Sequence, residues 1–216
     1  MSLLMKIMYI AQRSRPDVLF QCTYLSTFSK APTVNNRASL MQILMYLHGT
    51  KDQCVTFTDS AANQGHLEVY VDASYDAHVD HRSHTGMVIK WHGNTIHAGS
   101  SKQKQLALSS THAEVIGVNQ TIQKAQRALH VCRFICPREQ LSMKLFQDNT
   151  ASVKLLLKDH DSYSRNINIK LTYMHELVKS KILQVVHQGT KAMIADVLTK
   201  ALYGDVFHTM VSSLMH

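Results

Sequence analysis

The sequence predicts an α/β fold, a five-stranded mixed sheet with helices on both faces, preceded by a small helical segment. Three observations carry that reading. The first sixty residues place apolar side chains at helical spacing and contain no glycine before Gly49. From Leu67 the period changes to alternation, and two short strands meet at a Gly-Asn turn. Beyond Ser109, helical and strand-like stretches alternate, and crossover helices make the later strands run parallel to the first.

Leu3, Leu4, Ile7, Met8 and Ile10 form an apolar helical stripe, which Pro16 punctuates because proline disfavours helix at Arg15 before it. A second helical stretch covers residues 18–28, and Pro32 closes that region. Asn35 or Asn36 is a candidate cap for a third helix carrying Leu40, Ile43, Leu44 and Leu47, which stops at Gly49. Residues 67–71 alternate into Asp72, giving a strand with an acid at its end. Residues 86–91 and 95–100 form a hairpin around His92-Gly93-Asn94. Ser109, Ser110 or Thr111 can cap a long helix whose inward face holds Ala113, Ile116, Ile122, Ala125, Leu129 and Cys132. Residues 143–147 make a fourth strand, again running into an acid, Asp148. Residues 151–157 and 169–179 read as helices, 182–186 as the fifth strand and 193–202 as a closing helix.

A chain of 216 residues makes one large domain, or a small domain with an appendage. Its 45% hydrophobic and 18% charged residues exclude a disordered or fibrous chain. An excess of 23 Lys and Arg over 15 Asp and Glu leaves a net charge of +8, which favours a polyanionic partner and argues against a cationic one. No apolar run approaches the roughly 20 residues of a membrane span, so no membrane is expected. Lys6 interrupts the apolar start, which reads poorly as a signal peptide. Cys22, Cys54, Cys132 and Cys136 lack the second tight pair that a zinc site or a disulfide framework needs. Reduced thiols and an intracellular compartment, cytoplasmic or nuclear, are expected.

Four carboxylates stand out by position: Asp72, Glu114, Asp148 and Asp196. Parallel first and fourth strands would put Asp72 and Asp148 at the same end of neighbours, with Glu114 in the first turn of the long helix and Asp196 near the start of the last. Crowded carboxylates repel unless cations fill the space between them. Hard divalent cations, above all Mg²⁺, suit an all-oxygen site, and two of them about 3.5–4 Å apart can activate a water and stabilise the leaving oxygen of a phosphodiester. Singly, each acid also reads as an ordinary strand-end or helix-start acid.

The words around these acids narrow the choice. Tyr70-Val71-Asp72-Ala73-Ser74 is followed by Arg82-Ser83-His84-Thr85-Gly86, Ser100-Ser101-Lys102-Gln103 and Ala107-Leu108-Ser109-Ser110-Thr111-His112-Ala113-Glu114. Further on stand Gln147-Asp148-Asn149-Thr150-Ala151 and Ala195-Asp196-Val197-Leu198-Thr199-Lys200. In this order, over roughly residues 65–202, the set resembles the ribonuclease H domain of copia-type LTR retrotransposon Pol polyproteins. Upstream, Ser14-Arg15-Pro16-Asp17 and Leu44-Met45-Tyr46-Leu47-His48-Gly49-Thr50 resemble the C-terminal end of the family's reverse transcriptase. The palm motif with paired aspartates is absent, so no polymerase activity is expected. The resemblance divides the chain into a helical remnant of the reverse transcriptase thumb or connection, 1–60, and a ribonuclease H-like domain, 61–216.

The resemblance implies a Mg²⁺-dependent endonuclease hydrolysing the RNA strand of RNA–DNA hybrids, with Mn²⁺ as a substitute metal and the rest of a reverse transcriptase polyprotein as a partner. It implies metal ligands at Asp72, Glu114, Asp148 and Asp196, the first and third bridging or flanking both ions. It also implies that Glu114 lies by the ribose 2′-OH, which only RNA has. His187 is expected to shuttle a proton or assist product release, roles open to a histidine side chain. Lys102 and Lys104 are expected at phosphates, Asn149 in the hybrid's minor groove and Ser74 at the nucleic acid. The sequence departs from the family pattern at Asn166 and Asn168, where histidine and an acid are usual, at His112, and at Gly189 and Met193. A catalytically silent nucleic-acid- or protein-binding module derived from a transposon is the alternative. A DNA transposase or resolvase of similar fold fits the flanking words less well.

Overall fold

The computed structural model describes residues 2–58, 65–158 and 165–216. The expected division between residues 60 and 61 lies outside the described residues.

The alternating stretch after residue 65 becomes β1 (His66–Ser74), the middle strand of a sheet ordered β3-β2-β1-β4-β5. β1 pairs antiparallel with β2 (His84–Trp91), which pairs antiparallel with β3 (Asn94–Lys102). His92 and Gly93, both at positive φ, form the two-residue turn between them, where glycine relieves the strain of that backbone conformation. β4 (Ser142–Gln147) runs parallel to β1, and β5 (Leu183–His187) runs parallel to β4. Between β3 and β4 lies α4 (Ser110–Ile135), and between β4 and β5 lie α5 (Thr150–Leu157) and α6 (Arg165–Lys179). The expected mixed sheet is the one found.

Alternation along the strands sends side chains to two cores. Leu67, Val69, Val71, Met143 and Leu145 pack against Ile122, Ala125 and Leu129 of α4, Leu156 of α5 and Leu171 and Met174 of α6. All six residues expected on the inward face of α4 are buried, and the Ser109 hydroxyl caps the helix by accepting from His112 N at 3.1 Å. On the opposite face Val88 packs with Leu4 and Ile7 of α1 (Ser2–Arg13), Leu19 of α2 (Leu19–Ser26), and Met210 and Leu214 of α7 (Gly204–Met215). The helical segment and the last helix therefore close one apolar layer over the sheet.

Two local expectations are corrected. α3 (Val34–Gly49) is capped by Thr33 rather than by either asparagine. The Thr33 hydroxyl accepts from Asn36 N at 3.2 Å, and the Asn36 side chain accepts from Thr33 N at 2.9 Å, a reciprocal box. The closing helix expected at 193–202 is a 3₁₀ turn, Ile194–Leu198, and the last α-helix is α7. Ile194 through Leu198 are all buried, a consecutive run rather than a one-sided stripe, because this turn is enclosed by β2, α2 and α7. The helical stripe lies later, at Met210, Val211, Leu214 and Met215.

Two polar networks fasten the helical segment. The Arg15 guanidinium lies on the Asp17 carboxylate, with Nη2 2.7 Å from Oδ2, and donates to the Thr50 carbonyl at 2.7 Å. Tyr46 donates to Asp17 Oδ2 at 2.8 Å, so the corner between α1 and α2 is tied to α3. Farther along, Tyr24 stacks on His78 and Phe20 meets His84 edge-on. Ser100 donates its one hydroxyl proton to the Leu198 carbonyl at 2.8 Å, so His84 Nε2, 2.7 Å from Ser100 Oγ, is the protonated nitrogen. His84 Nδ1 then accepts from His78 Nε2 at 2.9 Å, and burial, together with the neighbouring His78, pushes the His84 pKa down to about 3.

Among the described residues no helix is long and apolar enough to cross a membrane. All four cysteines are free.

Substituting Asp17→Ala strands the buried Arg15 charge, and the expected loss of stability is about 3–5 kcal/mol, measured by urea unfolding. His84 gives a pH dependence of known sign. Between its ordinary value of 6.5 and about 3, the unfolded chain binds a proton that the folded chain does not. Stability is therefore expected to fall as pH drops below 6.5, by up to about 1.4 kcal/mol per pH unit for this site. Urea midpoints across that range are expected to decline less steeply in His84→Gln.

Candidate active site

Parallel pairing of β1 and β4 brings Asp72, near the end of β1, beside Asp148, one residue beyond β4. α4 starts at Ser110, which puts Glu114 in its second turn rather than the expected first, away from the unpaired amides of the helix start and over the sheet. One carboxylate oxygen from each of Asp72, Glu114 and Asp148 lies within 4.8 Å of the other two. Asp72 and Glu114 are buried, at 4% and 5% exposure, and Asp148 is half-buried.

Asp196 is buried too, on the 3₁₀ turn, and stands outside this group of three. The Lys200 ammonium joins them, 3.0 Å from Asp196 Oδ2 and 3.7 Å from Asp72 Oδ2. Asp196 Oδ1 is buried with no hydrogen-bond partner among the described residues.

The local sequence sets these side chains with amides and hydroxyls. Gln147 donates from Nε2 to Glu114 Oε2 at 3.0 Å, while its Oε1 accepts from Asp148 N at 2.8 Å, so one buried amide orients two acids. Thr199 donates to Asp72 Oδ2, and Thr190 donates to Asp148 Oδ2 at 3.1 Å. Gln103 reaches the Thr85 hydroxyl and the Ala113 carbonyl, each at 2.9 Å, and pins the start of α4. A Cβ at Gly86 would stand 2.6 Å from the Ala195 carbonyl oxygen and 2.7 Å from Thr199 Cγ2. Only glycine lets β2 touch the backbone of the turn that carries Asp196.

Burial raises the Glu114 pKa, and the charges of Asp72 and Asp148 add to the rise, against the Gln147 hydrogen bond. Burial and Asp72 raise that of Asp196, against Lys200. Negative charge is thus disfavoured here unless a cation compensates it. The donor set is entirely carboxylate oxygen, and a buried carboxylate oxygen lacks a partner. Both features fit hard divalent cations, with Asp72, Glu114, Asp148 and Asp196 as the residues able to hold them.

His187 ends β5 with Nε2 3.1 Å from the Asp148 carbonyl, beside the acids. Ser74 ends β1 and lines, with Thr199 and Lys200, a cleft of about 930 Å³ running between α2 and α3. Asn149 caps α5, its Oδ1 accepting from Ser152 N at 3.0 Å. Lys102 ends β3 and Lys104 follows it by two residues. The Lys102 ammonium is 2.7 Å from Asp80 Oδ2, and Arg82 donates to the Lys104 carbonyl. Gln147, Thr190, Thr199 and Lys200 were not singled out by sequence reasoning. Three of them, all but Thr190, sit inside the quoted words that carry Asp148 and Asp196.

No protein-family model matches the chain. It is 28% identical over 200 residues to the retrovirus-related Pol polyprotein from transposon TNT 1-94 of Nicotiana tabacum, covering 91% of this chain and 15% of that one. It is 29% identical over 203 residues to the Pol polyprotein from transposon RE1 of Arabidopsis thaliana, covering 93% and 14%. The chain thus spans about 15% of the length of these polyproteins. It is also 32% identical over 120 residues to the secreted RxLR effector protein 161 of Plasmopara viticola, covering 55% of this chain and 83% of that one. Among solved structures, a foamy viral protease–reverse transcriptase dRH in complex with double-stranded DNA superposes with a TM-score of 0.52 at 9% identity, over 88% of this chain and 31% of that one. That likeness is one of fold. Ribonuclease H1 from the halophilic archaeon Halobacterium salinarum gives a TM-score of 0.48 at 15% identity, over 62% and 95%.

Gly86→Ala is expected to cost about 1–3 kcal/mol through overpacking against the Asp196 turn, read as a lowered urea midpoint.

Proposed function

Because this chain belongs with the Pol polyproteins of copia-type LTR retrotransposons and carries their ribonuclease H domain, we propose that it is an endonuclease cleaving the RNA strand of RNA–DNA hybrids. The observation that carries the reading is the approach of Asp72, Glu114 and Asp148, from three separate stretches of chain, to within 4.8 Å. Such a cluster is costly to build unless a cation compensates its charge.

Asp72 and Asp148 would flank two Mg²⁺ ions, with Glu114 and Asp196 holding one each and Mn²⁺ as a substitute. When bound, the ions supply an activated water and neutralise charge on the reacting phosphate. The chain's own residues do the rest. Gln147 fixes the relative placement of Glu114 and Asp148, and Thr199 fixes the rotamer of Asp72. Glu114, near the ribose 2′-OH, selects RNA over DNA. His187, beside Asp148, accepts and returns a proton at its imidazole during the reaction or product release. Ser74 and Asn149 border the strand being cut, and Lys102 and Lys104 meet phosphates farther along the duplex. The net charge of +8 suits this polyanion.

Residues 1–60 are read as the helical remnant of the reverse transcriptase and 61–216 as the nuclease domain. The remainder of a Pol polyprotein is the natural partner, and the cytoplasm or nucleus the place of action. One finding favours a second reading. The effector relative is covered over 83% of its length, so related sequence forms most of a protein bearing another name. A silent hybrid- or protein-binding module would fit that.

Cleavage of a labelled hybrid with Mg²⁺ separates the two. In Asp148→Asn, cleavage is expected to fall by about 10²–10³-fold while hybrid binding persists. Wild type that binds hybrid but cuts nothing in Mg²⁺ or Mn²⁺ selects the second reading.

A further inference from the structure

Cationic help reaches the four acids unevenly. Glu114 and Asp148 meet an amide and a hydroxyl, from Gln147 and Thr190. Asp72 and Asp196 share an ammonium, Lys200 Nζ, at 3.7 and 3.0 Å. That nitrogen stands where a cation between the two carboxylates would stand. Its backbone is anchored, Lys200 N donating to the Asp196 carbonyl at 3.2 Å, but its side chain is 42% exposed and borders the open cleft. An anchored backbone on a four-carbon stem lets the head leave without unfolding the turn. The attraction on Lys200 comes from Asp72, Asp196 and Asp148 together, so its departure is costly until another cation replaces it.

We infer that Lys200 is a built-in counter-ion that occupies the Asp72–Asp196 side of the site in the metal-free protein and yields it to a metal ion. The inference rests on the metal reading above and adds an order to it. The Asp72–Glu114–Asp148 group takes the first ion against the weaker opposition, since Lys200 Nζ lies 3.7 Å from Asp72 and 3.0 Å from Asp196, and the second must displace Lys200 toward the cleft. Lys200 is a positioning residue, acting through the acids it pairs with.

The test counts Mn²⁺ bound to the full chain by electron paramagnetic resonance. Wild type is expected to bind one ion more tightly than a second. In Lys200→Met the second ion is expected to tighten by about tenfold, since one opposing charge at contact distance is gone, while Lys200→Arg keeps the wild-type pattern. A second-ion affinity in Lys200→Met equal to or weaker than that of wild type overturns the proposal and leaves the metal reading standing. Wild type that takes up no Mn²⁺ overturns both. The wild-type protein gives an independent measure should the variant fail to fold. Acylation of Lys200 by an amine-reactive reagent, followed by mass spectrometry, is expected to rise several-fold when Mn²⁺ saturates the protein. Unchanged or reduced labelling under saturation overturns the proposal.

Discussion

Three carboxylate oxygens drawn to within 4.8 Å, two of them on buried side chains, repel one another with little water to screen them. A fourth buried acid adjoins them. Left to itself such a group would protonate or spread apart. Much of the surrounding structure resists the second outcome. Parallel pairing fixes Asp72 against Asp148, a helix anchored at Ser109 and Gln103 brings down Glu114, and a tight turn presents Asp196. The two strands and α4 share one core and the turn lies in the other, so the repulsion is balanced by packing some distance away.

The supporting polar groups are economical. Gln147 serves Glu114 with its amide nitrogen and Asp148 with its oxygen, and it is completely buried, so neither hydrogen bond competes with water. Gly86 plays the complementary part, since absence of a side chain brings a strand and the Asp196 turn into backbone contact. One site uses a buried amide and an empty position to set distances that a charge cluster would otherwise enlarge.

How much of this was legible in the sequence depends on the range of the interaction. Strand alternation before Asp72, the inward face of α4 and the hairpin around His92-Gly93-Asn94 were readable because each is decided by neighbours in the chain, although the turn itself is His92-Gly93 rather than Gly93-Asn94. The acids were readable because short words surround them and the order of elements placed their strands side by side. The closing helix was misplaced because four of the five residues 194–198 are apolar, Asp196 being the exception, and only the enclosing elements show that they form a 3₁₀ turn. The cap of α3 was missed because Thr33 and Asn36 act as a pair, and single-residue preference does not reveal reciprocity. Lys200 stood in plain view within its motif, but nothing local says that its ammonium bridges two acids, one of them more than a hundred positions away. The reason for Arg15-Pro16-Asp17, a buried ion pair answered by Tyr46, was equally invisible without α3 in place.

The apolar layer shared by α1, α2, β2 and α7 makes the first helices mechanically part of the sheet they cover. The proposed division would set residues 1–60 apart as a helical leader, yet Leu4, Ile7 and Leu19 lie against Val88, Met210 and Leu214. A recombination event that exchanged the leader for an unrelated one would deliver the acids intact while baring an oily flank of the sheet. Exchange at that division is therefore constrained by surface matching.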